Sequence, residues 1–362
     1  MGEPEFFFYR GRVGLFALLR ALGVGQGDRI ATQAFTCLAV PEAILAAGAR
    51  PLYIDLKVGS VNMDPEDLRE RITPEVRAVV VQHTFGIPAD LGELCKIAEE
   101  AGVPVIEDCC HTHCSTFEGK PVGGFGVGAF YSHEWGKPVV CGIGGSLAVN
   151  EDGLREKVKV LASDMRRPGL MRVGMIQAQF FVFNLLYRPF FFWTLKQAFN
   201  RLSRGGIAVG NFNPVDADQL PDDFKTMLAP SLRRRLLRRL QNVEAIAGHS
   251  RRIAAGYRDG LAGGPVTLVD ECENAETAYA RFPVWVRNKL DLMMHAQGEN
   301  IEVAEWYNTP VHPLEGVDAE KVGYEWGSCE NAERACGRIV SLPVHRRVRM
   351  SFVEKACRLL NG

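Results

Sequence analysis

The chain holds 362 residues, room for two domains with a substantial buried core. Forty-two basic against 43 acidic side chains leave a net charge of −1, which excludes a uniformly basic, nucleic-acid-coating protein. Its 37 glycines and 19 prolines follow no period or tract, which excludes a collagen-like chain or a long disordered arm, and its ten cysteines form no regular framework and read as reduced cytosolic thiols.

Met1-Gly2-Glu3-Pro4-Glu5 carries no basic leader, and Phe6-Phe7-Phe8-Tyr9 is too short for a secretory core, so a cytoplasmic protein is expected. The spacing of Leu15, Leu18, Leu19 and Leu22 predicts a helix over 14–23, stopped by Gly23 and Gly25. Arg29 to Thr32 and Pro51 to Asp55 read as strands, with a helix from Val40 to Ala47 between them. Ala78 to Gln82 is a β-branched run, Asp90 to Gly102 an amphipathic helix and Val103 to Glu107 another buried strand. Short apolar strands alternating with helices predict an α/β protein with a mainly parallel sheet covered on both faces. Ligands of such sheets bind just past the C-terminal strand ends, where Asp55, His83 and Asp108 stand.

Residues 170–199 break this rhythm. The stretch from Phe180 to Phe199 holds seven phenylalanines, but Gln177, Gln179, Asn184, Arg188 and Pro189 interrupt it, so no spanning helix is expected. Two readings stand. Either the segment is a lid or dimer contact that buries its rings, or it is an interfacial helical hairpin, broken near Pro189, whose neighbouring arginines face anionic lipid. Beyond it, Leu232, Leu236, Leu240 and Val243 predict one long helix over 229–261 with a basic face. A strand from Arg281 to Val286 and a helix from Val353 to Leu360 fit a small C-terminal α/β domain. The expected division is a large domain over 1–228, with an insert at about 165–212, and a small domain over 229–362.

The chemistry concentrates between 105 and 145. A strand-end Asp108, then Ser132 and Lys137 five residues apart, then the glycines of Gly142-Ile143-Gly144-Gly145, are what a pyridoxal phosphate (PLP) site of aspartate-aminotransferase type requires. The Asp holds a proton on the pyridine nitrogen and the Lys supplies the Schiff base. Cys110-x-x-x-Cys114, with His111 and His113 between, suggests zinc, but a second ligand pair at comparable spacing is missing and no metal is expected.

The sequence resembles the DegT/StrS family of PLP-dependent sugar aminotransferases. The resemblance runs from about Gly11 to Asn150 and resumes from about Phe224, and rests on Gly25-Gln26-Gly27-Asp28, Ala34-Phe35-Thr36, His83-Thr84-Phe85-Gly86, Glu107-Asp108 and Lys137 with its glycines. It implies a type I PLP fold with a seven-stranded sheet in the large domain. It also implies that Asp108 contacts the pyridine nitrogen, Lys137 bonds the cofactor, Ser132 and Gly11 bind its phosphate and His111 lies near its phenolic oxygen. Arg10 and Arg12 replace the family's phosphate-loop Ser and Thr, which implies a cationic contact to a phosphate from Arg12. Cys37 stands where the family often has an aromatic ring stacked on PLP, and would cover one face of the cofactor.

The family's Asn that reaches the partner subunit's phosphate has no clear match; Lys225 sits near the place, with Asn211 and Asn213 as weaker candidates. The expected function is transfer of an amino group, from glutamate, to a nucleotide- or lipid-linked keto sugar, in a homodimer with shared active sites and no nucleic-acid partner. Two alternatives are a PLP-dependent deoxysugar dehydratase, against which Lys137 argues because those members carry His there, and a membrane-associated scaffold without turnover, kept open by Arg12 and Cys37.

Overall fold

The β-branched runs become the middle of a seven-stranded sheet, in a computed structural model that describes residues 4–204 and 221–362. In spatial order the strands are Phe6–Phe8, Gly145–Val149, Gly128–Ser132, Val105–Asp108, Val76–Gln82, Arg29–Gln33 and Arg50–Ile54. Gly145–Val149 runs against both of its neighbours and every other pairing is parallel. Because successive side chains leave a strand on opposite faces, Val80 packs with Leu15, Leu18 and Ile44 on one side, while Val79 and Val81 pack with Leu91, Leu94 and Ile97 on the other. The helices Gly11–Ala21 and Ala39–Ala46 supply the first layer, Pro65–Arg71 and Leu91–Glu100 the second. Asp90 starts the last of these by accepting a hydrogen bond from the Glu93 N–H at 3.3 Å.

The C-terminal part carries an antiparallel three-stranded sheet, Thr267–Leu268, Arg281–Trp285 and Ile339–Pro343, against the helices Val243–Leu261 and Met350–Asn361. It shares one core with Phe35, Tyr53 and Phe85 of the N-terminal part, and Val311–His312 pairs in parallel with Thr36–Cys37 across the join. The single helix predicted over 229–261 is two, Pro230–Leu240 and Val243–Leu261. The break falls at Gln241-Asn242, where the Asn242 N–H bonds back to the Arg239 carbonyl in a tight turn at 3.0 Å.

The aromatic insert folds as the helix Leu170–Leu186, a short turn at Pro189–Phe191 and the helix Phe192–Arg204. The helix axis bends by 112° between the two arms. Pro189 opens the second arm as a first-turn proline, which explains the break. Among the described residues no single helix is long and apolar enough to cross a membrane; only the bent pair reaches that length and composition together. Residues 205–212, the end of the predicted insert, lie outside the described residues, as do Asn211 and Asn213.

Candidate active site

Strand register assembles the site. Pairing sets Gln82 beside Asp108, Asp108 beside Phe130, and Ser132 beside Gly145, so these side chains share the C-terminal edge of the sheet. The helix Gly11–Ala21 begins at the same edge. A Cβ at Gly11 would lie 3.1 Å from the Tyr131 carbonyl oxygen and 3.2 Å from Ser132 Cβ, so a larger residue would push the helix start and the strand apart by a few tenths of an ångström. Arg10, its N-cap, makes no side-chain cap bond, so its side chain does not cover the first-turn N–H groups beside Ser132.

Lys137 projects from a tight loop. The His133 N–H donates to the Gly144 carbonyl at 2.8 Å and the Cys141 N–H to the His133 carbonyl at 2.9 Å. His133 donates through Nδ1 to the Val139 carbonyl at 3.2 Å and accepts at Nε2 from the Ser146 hydroxyl at 2.8 Å. Burial pushes this ring down to about 4, so it is a neutral clamp on the lysine loop. Lys137 Nζ lies 5.6 Å from the centre of the Trp306 ring.

Asp108 closes its strand in a buried position, and its Oδ1 accepts from the Cys110 N–H at 2.9 Å. Burial raises its pKa, with the Cys110 hydrogen bonds and Lys137 pulling the other way. The His111 ring is neutral, because burial and then Lys137 hold its pKa well below the usual histidine value. Its Nδ1 accepts from the Phe85 N–H at 3.1 Å, which places the ring proton on Nε2. The imidazole stacks with Trp306 at 6.4 Å and Tyr307 at 6.3 Å. Cys37, a thiol whose pKa burial raises, stands on the same cavity wall, held by the pairing of Thr36–Cys37 with Val311–His312.

Unlike the strand-end Asp55 and His83, all seven residues assigned to the cofactor site from the sequence, Gly11, Arg12, Cys37, Asp108, His111, Ser132 and Lys137, line this one cavity. Arg12 does so differently from the expectation. Its guanidinium contacts Glu42 through Nη1 and Asp223 Oδ2 through Nη2 at 2.7 Å, while Arg10 pairs with Glu134 and Asp223, both at 2.9 Å. A carboxylate thus holds each Nη of Arg12, where the sequence placed a phosphate contact. Lys225 closes the short turn Asp222–Lys225, and its carbonyl accepts from the Arg166 N–H at 2.8 Å. Trp306, Tyr307, Trp135, Glu134 and His312 also line the cavity and were missed. For Trp306-Tyr307 the only sequence signal is an aromatic pair shortly before Pro310.

The cysteine–histidine cluster does not form a ligand set. His111 joins the aromatic stack, whereas His113 stacks on Tyr131 at 4.9 Å and on His133 at 5.3 Å. Among the described residues one group, His83, Glu107 and Cys109, brings possible metal-ligand atoms together. Its Glu107 already accepts from the Gly123, Phe125 and Gly126 N–H groups at 2.6, 2.7 and 2.9 Å, and His83 Nδ1 accepts from Ala89 N–H at 3.1 Å. That hub ties the 123–126 loop to the strand bearing Asp108.

A lysine on a clamped loop, a buried strand-end carboxylate and a helix-start anion cradle coincide with the match of a family model, the DegT/DnrJ/EryC1/StrS aminotransferase family, over residues 9–176 and 235–360. The chain belongs to that family. Over 156 residues it is 34% identical to the L-glutamine:scyllo-inosose aminotransferase of Streptomyces griseus, covering 43% of this chain and 37% of that protein. Over 158 residues it is 35% identical to the UDP-2-acetamido-2-deoxy-3-oxo-D-glucuronate aminotransferase of Pseudomonas aeruginosa, covering 43% and 44%. The match thus spans less than half the length of these relatives. In fold the chain resembles S. venezuelae DesV, solved in complex with a ketimine intermediate, with a TM-score of 0.78 at 22% identity over 99% of this chain and 85% of that one.

DegT-family aminotransferases are PLP-dependent, and the architecture is the type I PLP fold. The residues present fit that cofactor. Lys137 and Asp108 line one cavity, and the Gly11 start beside Ser132 is a cradle that any Cβ would crowd.

Proposed function

We propose that this DegT-family chain transfers an amino group from glutamate to a keto sugar whose carrier is a nucleotide or a lipid. The observation that carries the reading is the convergence of Lys137, Asp108 and the Gly11–Ser132 cradle on one cavity at the C-terminal edge of a mainly parallel sheet. PLP, when bound, supplies an electron-accepting ring and a carbonyl for the amino group. In this reading Lys137 would hold the cofactor through its amine and would move the proton at the donor's Cα. Asp108 holds the proton on the pyridine nitrogen. The first-turn N–H groups at Gly11 and the Ser132 hydroxyl hold the phosphate. His111 offers its neutral Nε2–H to the phenolic oxygen, and Cys37 with Trp306 bounds the space for the ring. Arg12 acts as a positioning residue, fixing the helix start to Glu42 and Asp223. The large PLP-binding part covers 1–228 and the small part 229–362.

Borohydride reduction of the PLP-loaded protein, followed by peptide mapping, is expected to leave one pyridoxyl label, on Lys137. A label on another lysine overturns the assignment. Adding glutamate to the unreduced protein is expected to bleach the cofactor's visible band to that of its amine form, an outcome foreign to a scaffold without turnover. A deoxysugar dehydratase would instead release water from its sugar and leave no amino group on the product.

We further propose a homodimer, in which the second subunit completes the phosphate pocket that family members complete with a cross-subunit Asn. Sedimentation of the full chain is expected at about twice the chain mass. A monomer with full activity at low concentration excludes it.

A further inference from the structure

We propose that the bent helical pair of residues 170–199 docks the protein on an anionic lipid bilayer, with its apolar outer face in the interfacial layer and the surrounding arginines on the lipid headgroups. This inference does not depend on the transamination reading. Residues 177–234, which hold most of the insert, fall between the two family-matched stretches.

The helix Leu170–Leu186 is apolar on both sides, burying Ile176 and Phe180 and leaving a second apolar stripe exposed. Met171, Gly174, Ala178, Phe181 and Leu185 recur at spacings of three and four residues, all on the exposed side. Phe181 is 69% exposed, Leu185 63% and, past the bend, Phe190 62%. The polar residues point the other way. Gln177 donates to the Ser231 hydroxyl at 3.3 Å and accepts from Arg235 at 3.0 Å, and the Asn184 side-chain Oδ1 accepts from Arg347 at 3.4 Å. A helix that turns Gln177 and Asn184 toward the protein and leaves Phe181 and Leu185 uncovered suits an apolar medium on its outer side.

Charge decides which medium. Residues 165–204 contain seven basic side chains and no acidic one, and 227–243 add five arginines, again without an acid. Arg235 and Arg239 lie over the Phe180 ring at 4.0 and 5.0 Å, and Arg347 over Phe183 at 5.2 Å. With Arg188 and Arg346 they form a cationic cluster beside the helix, and among the described residues none of the five is in an ion pair. Burial and then mutual repulsion lower the pKa values of Arg239 and Arg347, as expected of like charges gathered without a counterion. A second copy offering the same face would set cation against cation, whereas a bilayer with anionic headgroups meets the apolar stripe and the arginines at once.

Docking would also orient the catalytic cavity. On its inner side the helix packs on the lysine loop, since Trp135, a cavity wall, lies 4.9 Å from Phe183 and 6.1 Å from Phe180. The active-site loop therefore sits one helix thickness from the proposed membrane surface.

The test is flotation of the PLP-loaded full chain with vesicles of phosphatidylcholine alone or of equimolar phosphatidylcholine and phosphatidylglycerol. The protein is expected to float with the anionic vesicles at low salt, to be released by high salt, and to stay at the bottom with the neutral ones. The triple variant Phe181→Ser, Leu185→Ser, Phe190→Ser is expected to lose most of the floated fraction while keeping the wild-type circular dichroism and PLP absorbance. Arg188→Gln with Arg346→Gln is expected to lower the salt needed for release. Wild type that stays at the bottom with both vesicles overturns the proposal, and so does undiminished flotation of the triple variant. A triple variant that sediments at half the wild-type mass puts a second copy on this face and likewise overturns it.

Discussion

Lys137→Ala is expected to lower turnover by about 10⁴-fold or more, because one side chain both bonds the cofactor and moves the substrate proton. The loop that carries Lys137 is fixed by its own backbone and by His133, none of which depends on the lysine side chain, so the variant should fold. Lys137→Arg separates charge from proton transfer. It keeps a cation near Trp306, yet a guanidinium does not give up its proton in a protein, so it should be as inactive as the alanine variant. Small primary amines added to Lys137→Ala should restore part of the rate, since they fit the space vacated and can carry the proton. Glutamate-dependent product formation measures all three. Turnover within tenfold of wild type in either variant would remove Lys137 from the reaction.

The sheet and the position of the cavity were legible because both are written locally. Val76–Gln82 and Val105–Asp108 are short runs whose β-branched side chains suit strands buried on both faces, and the second turns polar only in its last two residues, Glu107 and Asp108. Gly11 and Lys137 sit within local patterns of fixed spacing. What the sequence hid depends on partners far along the chain. Arg12 beside an anion cradle reads as an anion ligand until Glu42 and Asp223 arrive, 30 and 211 residues away. Trp306 and Tyr307 reach the site through long-range contacts, among them the pairing of Val311–His312 with Thr36–Cys37 and the packing of Tyr307 on Phe35.

In the insert, Pro189 announced the bend, but the direction of the two faces was not readable. Pattern alone assigns polar residues to water, and here Gln177 and Asn184 serve Arg235 and Arg347 instead. The break at Gln241-Asn242 had no proline or glycine to mark it. Helical spacing continues across it, and only the change of direction needed to lay Val243–Leu261 against Met350–Asn361 requires the turn.

Asp108→Asn is expected to lower turnover by about 10²–10³-fold while PLP remains bound, because a neutral amide cannot hold the proton on the pyridine nitrogen. The amide oxygen can still accept from the Cys110 N–H, so the local fold has a replacement for the one backbone bond Asp108 makes. The same substitution has the opposite effect on the protein without cofactor. Burial raises the Asp108 pKa above its unfolded value, so the folded chain binds the carboxyl proton more tightly than the unfolded one. Stability then falls as pH rises from the unfolded value through the folded one, and above that window the buried carboxylate is a standing cost that asparagine removes. Cofactor-free Asp108→Asn should therefore melt at or above cofactor-free wild type at pH 8, and the gap should shrink as pH falls toward the ordinary carboxylate range. Thermal midpoints across that range, beside turnover of the loaded enzymes, separate the two effects. Unchanged turnover would take the pyridine contact away from Asp108. A cofactor-free variant that melts well below wild type at pH 8 would mean that Lys137 and the Cys110 hydrogen bonds outweigh burial, making the carboxylate part of what holds the strand end in place.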